Sequence, residues 1–195
     1  AACRLAQGAS LDVREIVGES FAAERIDLGL PGGKQDMCGA AFGGIHMFEF
    51  QDPDWTAHSV GLSDAQIAEL ETRLLLVYSG ASHVSDNIHA DIKAAYADET
   101  SPTKQAMYGL KRIAHEGLDL LRTGRLDDFG ALLNENWKYH KDLHPSCTND
   151  RLEEIYATAG RYGIIGGKTC GAGGGGCVVF YCKEGSKREL AAVLE

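Results

Sequence analysis

The chain has 195 residues, 44% hydrophobic and 24% charged, a balance typical of a folded globular domain and too apolar for intrinsic disorder. Nineteen Lys and Arg against 28 Asp and Glu leave a net charge of −9, which argues against a nucleic-acid partner held by phosphate neutralisation. No apolar stretch approaches the roughly 18 residues of a membrane helix, no basic-then-apolar leader opens the chain, and a cytoplasmic protein is expected.

Residues 1–8 read as the tail of a helix, so the chain reads as cut at its N-terminus. Asp12 with Glu15 three residues on is a capping-box pattern, and Val13, Ile16, Val17, Phe21 and Leu28 form the apolar stripe of a helix stopped at Gly29. Leu30–Asp36 is a loop that leads into a short segment at Met37–Phe42. Strands are predicted at Ile45–Phe50 and Thr56–Val60, across a turn at residues 51–54. Ser63 and Gln66 box a short helix with Ile67 and Leu70 inward, and Arg73–Tyr78 reads as a buried strand.

From Ser85 to about Tyr162 the pattern is helical. Ile88, Ile92 and Tyr96 make one stripe; a helix begun near Pro102 carries Met107, Leu110, Ala114 and Leu121. Phe129, Leu132, Leu133 and Trp137 mark the next, and Asn149 caps another with Leu152, Ile155, Tyr156 and Ala159. Ile164-Ile165 and Cys177–Cys182 are short buried strands flanking a glycine tract. Ser186 and Glu189 box a last helix that runs to the chain end, which reads as cut as well. The order of elements indicates an α+β fold rather than a βα repeat, with a soft boundary near residues 79–100.

The 24 glycines are nearly double the usual share of ~7%. Six fall between Gly29 and Gly44 and nine between Gly160 and Gly176; they serve either separate tight turns or one common ligand. Gly171–Gly176 spells a dinucleotide fingerprint, but that motif opens a helix, and a β-branched, aromatic stretch follows here. Gly166-Gly167-Lys168-Thr169 imitates the end of a phosphate loop, with Tyr162 where its first Gly belongs and no helix afterwards. Both are discarded. What survives is a backbone able to pass close to something bulky.

Cys3, Cys38, Cys147, Cys170, Cys177 and Cys182 contain no CxxC pair, so buried reduced thiols are expected, with Cys177 and Cys182 on opposite faces of their strand. His140 and His144 lie four apart with Cys147 beyond, a spacing zinc could use, but a polar helix end is the default reading. Asp36 follows a Pro-Gly-Gly loop and opens a short helix. It is either a functional carboxylate near exposed N–H groups or a helix N-cap, and spacing leaves both open.

Three segments in order, LPGGKQDMCGAAFGGIHMFEF (30–50), LLVYSGASHVSD (75–86) and GGKTCGAGGGGCVVF (166–180), resemble the GHMP sugar and metabolite kinases. The GKQD and GGK-x-x-GAGGGG forms most resemble the heptose 7-phosphate kinases in that family. The resemblance implies a two-lobed α+β fold, with residues 1–80 the end of the N-terminal domain and 81–195 a helix-rich, ferredoxin-like C-terminal domain. It also implies transfer of the γ-phosphate of ATP to a sugar hydroxyl, such as the anomeric hydroxyl of a heptose 7-phosphate, with Mg2+. By position, Asp36 matches the catalytic Asp and Glu24 the Glu that helps hold magnesium. Lys34, Gln35, Ser79, Gly80 and His83 fall on the acceptor side, and Gly173, Gly174, Gly175 and Gly176 match the motif that supports the phosphate loop.

The chemistry agrees with those assignments. Phosphoryl transfer depends on positioning and charge neutralisation more than on proton abstraction, and magnesium takes one or two carboxylates plus phosphate oxygens. Met37 stands where the family usually has Gln, and His83 where it often has Arg. The family's phosphate-wrapping motif lies upstream of residues 12–28, so these residues alone are expected to bind nucleotide weakly and to be inactive. ATP and a sugar or sugar phosphate are the expected partners, and a homodimer is left open. The alternative reading is a non-catalytic binding or regulatory protein on the same fold.

Overall fold

A computed structural model describes residues 12–51, 54–81 and 86–195. The expected helix tail at 1–8, two residues of the 51–54 turn and His83 lie outside them. Contacts divide the chain into two compact units, Ala1–Gly61 and Leu62–Glu195. The sequence-based boundary after residue 80 differs from this, because strand 74–78 is hydrogen-bonded into the sheet of the second unit.

In the first unit, helix α1 (Val13–Phe21) opens with the predicted capping box. The Asp12 carboxylate accepts from the Glu15 N–H at 2.8 Å, and the Glu15 carboxylate accepts from the Asp12 N–H at 2.9 Å. The helix then widens into a π-helical stretch, Ala22–Asp27. The wider turn breaks the 3.6-residue period, so Val17 is buried while Leu28, expected on the same stripe, is 70% exposed. Helix α2 (Gln35–Phe42) and the antiparallel strands β1 (His46–Gln51) and β2 (Asp54–Ser59) complete the unit. Its core is Val17, Met37 and Cys38, flanked by Phe42, Phe48 and Trp55. Phe42 meets the other two rings edge-on at 5.5 and 5.8 Å, the geometry that aromatic quadrupoles favour.

The second unit runs α3 (Asp64–Arg73), β3 (Leu74–Tyr78), α4 (Asp86–Ala97), α5 (Pro102–Arg122), α6 (Leu126–Leu143), a 3-10 turn (Pro145–Cys147), α7 (Asp150–Arg161), β4 (Ile164–Thr169), β5 (Cys177–Cys182) and α8 (Lys187–Leu194). A strand, a helical crossover, an antiparallel hairpin and a closing helix give the expected helix-rich α+β arrangement. The sheet order is β3-β5-β4, antiparallel throughout. One face carries the main core, in which Val178, Phe180 and Cys182 meet Trp137, Leu152, Ile155, Ala159 and Leu190. Trp137 stacks on Tyr156 with ring centres 5.1 Å apart.

Four sequence expectations are corrected. Strand β3 lies at the sheet edge and is buried on one face only: Val77 is buried, but Leu76 is 63% and Tyr78 59% exposed. Ile67, expected inward on α3, is exposed, and Leu70 alone of the pair is buried. The buried face of α5 runs through Ala106, Gly109, Ile113, Gly117, Leu120 and Leu121; of the expected stripe Leu121 is buried, Met107 and Leu110 are half-buried against a neighbouring core cluster, and Ala114 is exposed. The small residues let α6 approach closely: a Cβ at Gly109 would sit 2.6 Å from the Tyr139 ring. Ser186 makes no side-chain cap on α8. Its backbone is already helical there (φ −81, ψ −17), whereas a capping side chain needs an extended Ncap residue.

Helix α6 runs along the free edge of β4. A Cβ at Gly166 would lie 2.0 Å from the Gly130 carbonyl oxygen, so the contact requires glycine. One turn on, the Asn134 side chain donates to the Ile165 carbonyl at 2.9 Å and accepts from the Gly167 N–H at 3.1 Å. The amide stands in for the missing neighbouring strand. Among the described residues, no helix is long and apolar enough to cross a membrane.

Candidate functional site

In the first unit, the loop between the π-helical stretch and α2 is held from one side chain. Arg25 Nη1 donates to the Pro31 carbonyl at 2.7 Å and reaches the Leu30 carbonyl at 3.5 Å. Gly32 packs so closely on this guanidinium that a Cβ would fall 2.6 Å from Cζ. The chain then enters α2, where Lys34 is the Ncap residue without a side-chain cap bond and Asp36 lies in the first turn. The N-cap reading of Asp36 is thereby overturned, because the cap position is two residues earlier. Asp36 is exposed and, among the described residues, makes no hydrogen bond or ion pair. A carboxylate in a first helical turn is favoured by the unpaired N–H groups and the dipole there.

Lys34 places its ammonium 4.8 Å from the centre of the Phe21 ring. Lys34 and Gln35 line a cavity of about 400 Å3 with Phe21, Gly32, Gly33, Phe50 and Asp54. Glu24, on the π-helical stretch, has a half-exposed side chain (51%) whose described partner is Arg25 at 3.5 Å. Cys38, behind Asp36 on α2, is fully buried; burial pushes its thiol up, against the pull of Lys34 and Arg14.

In the second unit, the glycine tract is a loop clamped through its backbone. Gly174 N–H donates to the Cys147 carbonyl at 2.7 Å, Gly176 N–H to the Ala81 carbonyl at 2.8 Å, and Ser79 N–H to the Gly176 carbonyl at 2.8 Å. Asn149 works in two directions: its Oδ1 accepts from the Leu152 N–H at 2.9 Å to cap α7, and its Nδ2 donates to the Gly174 carbonyl at 2.7 Å. Gly173 has φ +85, and a Cβ there would lie 2.3 Å from the Cys147 carbonyl oxygen, so both its conformation and its contact demand glycine. Gly173, Gly174 and Gly175 are buried. Ser79 and Gly80 therefore sit against this tract. Ser79 is buried, its Oγ donates to the Ala81 carbonyl at 3.1 Å, and Gly80 has φ +86.

The paired histidines are occupied. His140 Nε2 lies 3.0 Å from the Ala172 carbonyl, which can only accept, so that nitrogen carries the proton. Burial holds His140 below the usual histidine range; the Ala172 carbonyl opposes the shift and Lys168 adds to it. His144 Nδ1 accepts from the Ser146 N–H at 3.2 Å. Among the described residues, no group of three or more His, Cys, Asp or Glu is placed to hold a metal ion, so the zinc reading of His140, His144 and Cys147 has no geometric support.

Two residues escaped the sequence reading. Arg25 belongs to no motif, and nothing in its spacing signals that it holds the loop. Lys168 was weighed only within a discarded imitation of a phosphate loop, yet it lies three residues before the glycine tract, half-buried and without an ion-pair partner among the described residues. Burial pulls it below the ordinary lysine range, and Cys170 opposes that shift. A cation without a carboxylate beside a backbone loop was the available signal.

Residues 118–194 match the family model described as GHMP kinases C terminal. Over 181 residues the chain is 30% identical to D-glycero-alpha-D-manno-heptose 7-phosphate kinase of Campylobacter jejuni, covering 92% of this chain and 53% of that protein. It is similar to the solved structure of a D-glycero-D-manno-heptose 1-phosphate kinase from Bacteroides thetaiotaomicron, at 25% identity and TM-score 0.69 over 96% of this chain and 50% of that one. The fold is shared with phosphomevalonate kinase of Streptococcus pneumoniae, at TM-score 0.76 and 14% identity over 98% of this chain and 60% of that one. The chain thus spans about half the length of the heptose kinases it matches.

Proposed function

The chain belongs to the GHMP kinase family, and from that premise we propose that it carries part of the machinery of an ATP-dependent sugar kinase, with the anomeric hydroxyl of a heptose 7-phosphate as acceptor. The observation that carries the reading is Asp36: exposed, without a hydrogen bond or ion pair among the described residues, and next to two residues that line a cavity. A carboxylate left free in a first helical turn contributes nothing visible to packing and is available to a substrate hydroxyl. Asp36 orients that hydroxyl and takes its proton late, which suits a carboxylate because the transition state of phosphoryl transfer makes little demand on a base. Lys34 and Gln35 hold the acceptor from the cavity side.

The glycine tract supports the nucleotide through backbone shape, and Lys168 adds positive charge beside it. Glu24 fits a magnesium ion, since it offers a hard oxygen donor on the surface whose one described partner is a neighbouring guanidinium. Magnesium bound with ATP neutralises charge on the phosphates. Calorimetry of the 195 residues with Mg-ATP is expected to read weak binding, because the family's phosphate-wrapping motif is not among them.

Asp36→Asn in the protein that carries this chain tests the assignment. Turnover with heptose 7-phosphate falls by about 10²- to 10⁴-fold while KM for ATP stays put. Unchanged turnover would remove Asp36 from the chemistry and leave a binding or regulatory protein on this fold. A higher kcat/KM for mevalonate than for heptose phosphate would overturn the acceptor.

A further inference from the structure

Two of the six cysteines stand face to face at the neck of the glycine loop. The antiparallel register pairs Lys168 with Val179 and Thr169 with Val178, so Cys170 and Cys177 are the next opposed pair. The ladder reaches them, since Cys170 N–H donates to the Cys177 carbonyl at 2.8 Å. Opposed residues on antiparallel strands share a face, with Cα atoms about 4.5–5.5 Å apart and Cβ atoms about 4.5–5.5 Å apart, so the Cβ atoms must draw together toward the ~3.5–4.5 Å of a disulfide. That Cα span falls inside the ~4.4–6.8 Å over which a disulfide closes.

Both thiols are free, Cys170 exposed and Cys177 half-buried, and Tyr78 of β3 flanks Cys177 on its other side. Cys182 is five residues further along β5, on the opposite face and fully buried. Burial pushes the Cys170 thiol up and Lys168 pulls it down, while Cys177 pushes it up again, as a neighbouring thiol does.

We propose that Cys170 and Cys177 are a reversible dithiol site whose oxidant is a low-molecular-weight disulfide such as oxidised glutathione. The Cys170 thiolate attacks one sulfur of the oxidant, forming a protein–glutathione mixed disulfide and releasing one glutathione thiol. The Cys177 thiolate then attacks the Cys170 sulfur and displaces the second glutathione. Two cysteine thiols lose two electrons and two protons, the oxidant gains them as two thiols, and one S–S bond is exchanged for another. The product closes a covalent ring around Gly171–Gly176, the segment already clamped by Cys147, Ala81 and Asn149. The site is independent of the kinase reading, since its chemistry needs only the hairpin neck.

The test is a peptide map of the purified protein after incubation with oxidised glutathione. Chymotryptic cleavage after Phe180 or Tyr181 separates Cys182 from the other two. The expected product is a peptide holding Cys170 and Cys177 that has lost two hydrogens and regains them with dithiothreitol. Cys182→Ser leaves this product in place, and Cys177→Ser halts the reaction at glutathionylated Cys170. The map of the unsubstituted protein decides the matter without any variant. Both thiols still free, a persistent mixed disulfide at Cys170, or a link through Cys182 would each overturn the proposal. A second readout is amide exchange, which slows at Gly174 and Gly176 once the ring is closed.

Discussion

The two glycine-rich regions of this molecule use the same residue to opposite ends. Around Gly32 and Gly33 the loop hangs from Arg25 and side chains face outward beyond it: Lys34 reaches over the Phe21 ring, and Asp36 is exposed with no hydrogen bond or ion pair among the described residues. Around Gly173–Gly176 glycine lets the chain press inward, and the backbone itself is bonded to Cys147, Ala81, Ser79 and Asn149. One region presents side chains and the other presents main chain. A site can be assembled from either, but the two respond differently to substitution.

That contrast can be broken most sharply at Gly173. Replacement by Ala forces a Cβ against the Cys147 carbonyl with φ still positive, and the cost is about 3 kcal/mol, read as a lower urea midpoint. Arg25→Ala removes a charged donor from two loop carbonyls and costs about 2 kcal/mol; faster proteolysis within residues 28–34 checks it. His140 sharpens the comparison through pH. Its folded pKa is depressed, mainly by burial, so it contributes stability above the unfolded value of about 6.5 that is lost as pH falls through and below it. The slope is at most about 1.4 kcal/mol per pH unit, and His140→Gln flattens it in urea titrations at pH 7.5, 6.5 and 5.5. Asp36→Asn lies at the small end for stability, within about 0.5 kcal/mol, because nothing described rests on that carboxylate. A large loss of melting temperature there would assign it to the fold instead.

Local chemistry was the readable part of the sequence. Asp12 with Glu15, Ser63 with Gln66, and Asn149 each cap the helix they were expected to cap, since capping depends on residues three apart. The strand–glycine–strand order of the last third also emerges as written, and so does the rejection of the dinucleotide motif, with a strand following Gly176. Tertiary choices were not readable. The buried face of α5 interleaves small residues with Ile113, Leu120 and Leu121, because α6 packs against Gly109 and Gly117. The π-helical stretch after Phe21 moves Leu28 out of its stripe, and no periodicity rule anticipates an extra residue in a turn. The role of Asn149 at the loop was half visible: its cap is a local signal, while its bond to Gly174 spans 25 residues.

Asn134 has a consequence for how the sheet can grow. By presenting an amide to Ile165 and Gly167, it supplies β4 with one donor and one acceptor of the kind a further strand would bring, so part of that border is already met by a single side chain. β3 is the other terminal strand of the sheet. A strand joining beside β4 must displace that amide, whereas one joining beside Leu76 and Tyr78 meets an edge strand whose outward side chains are exposed.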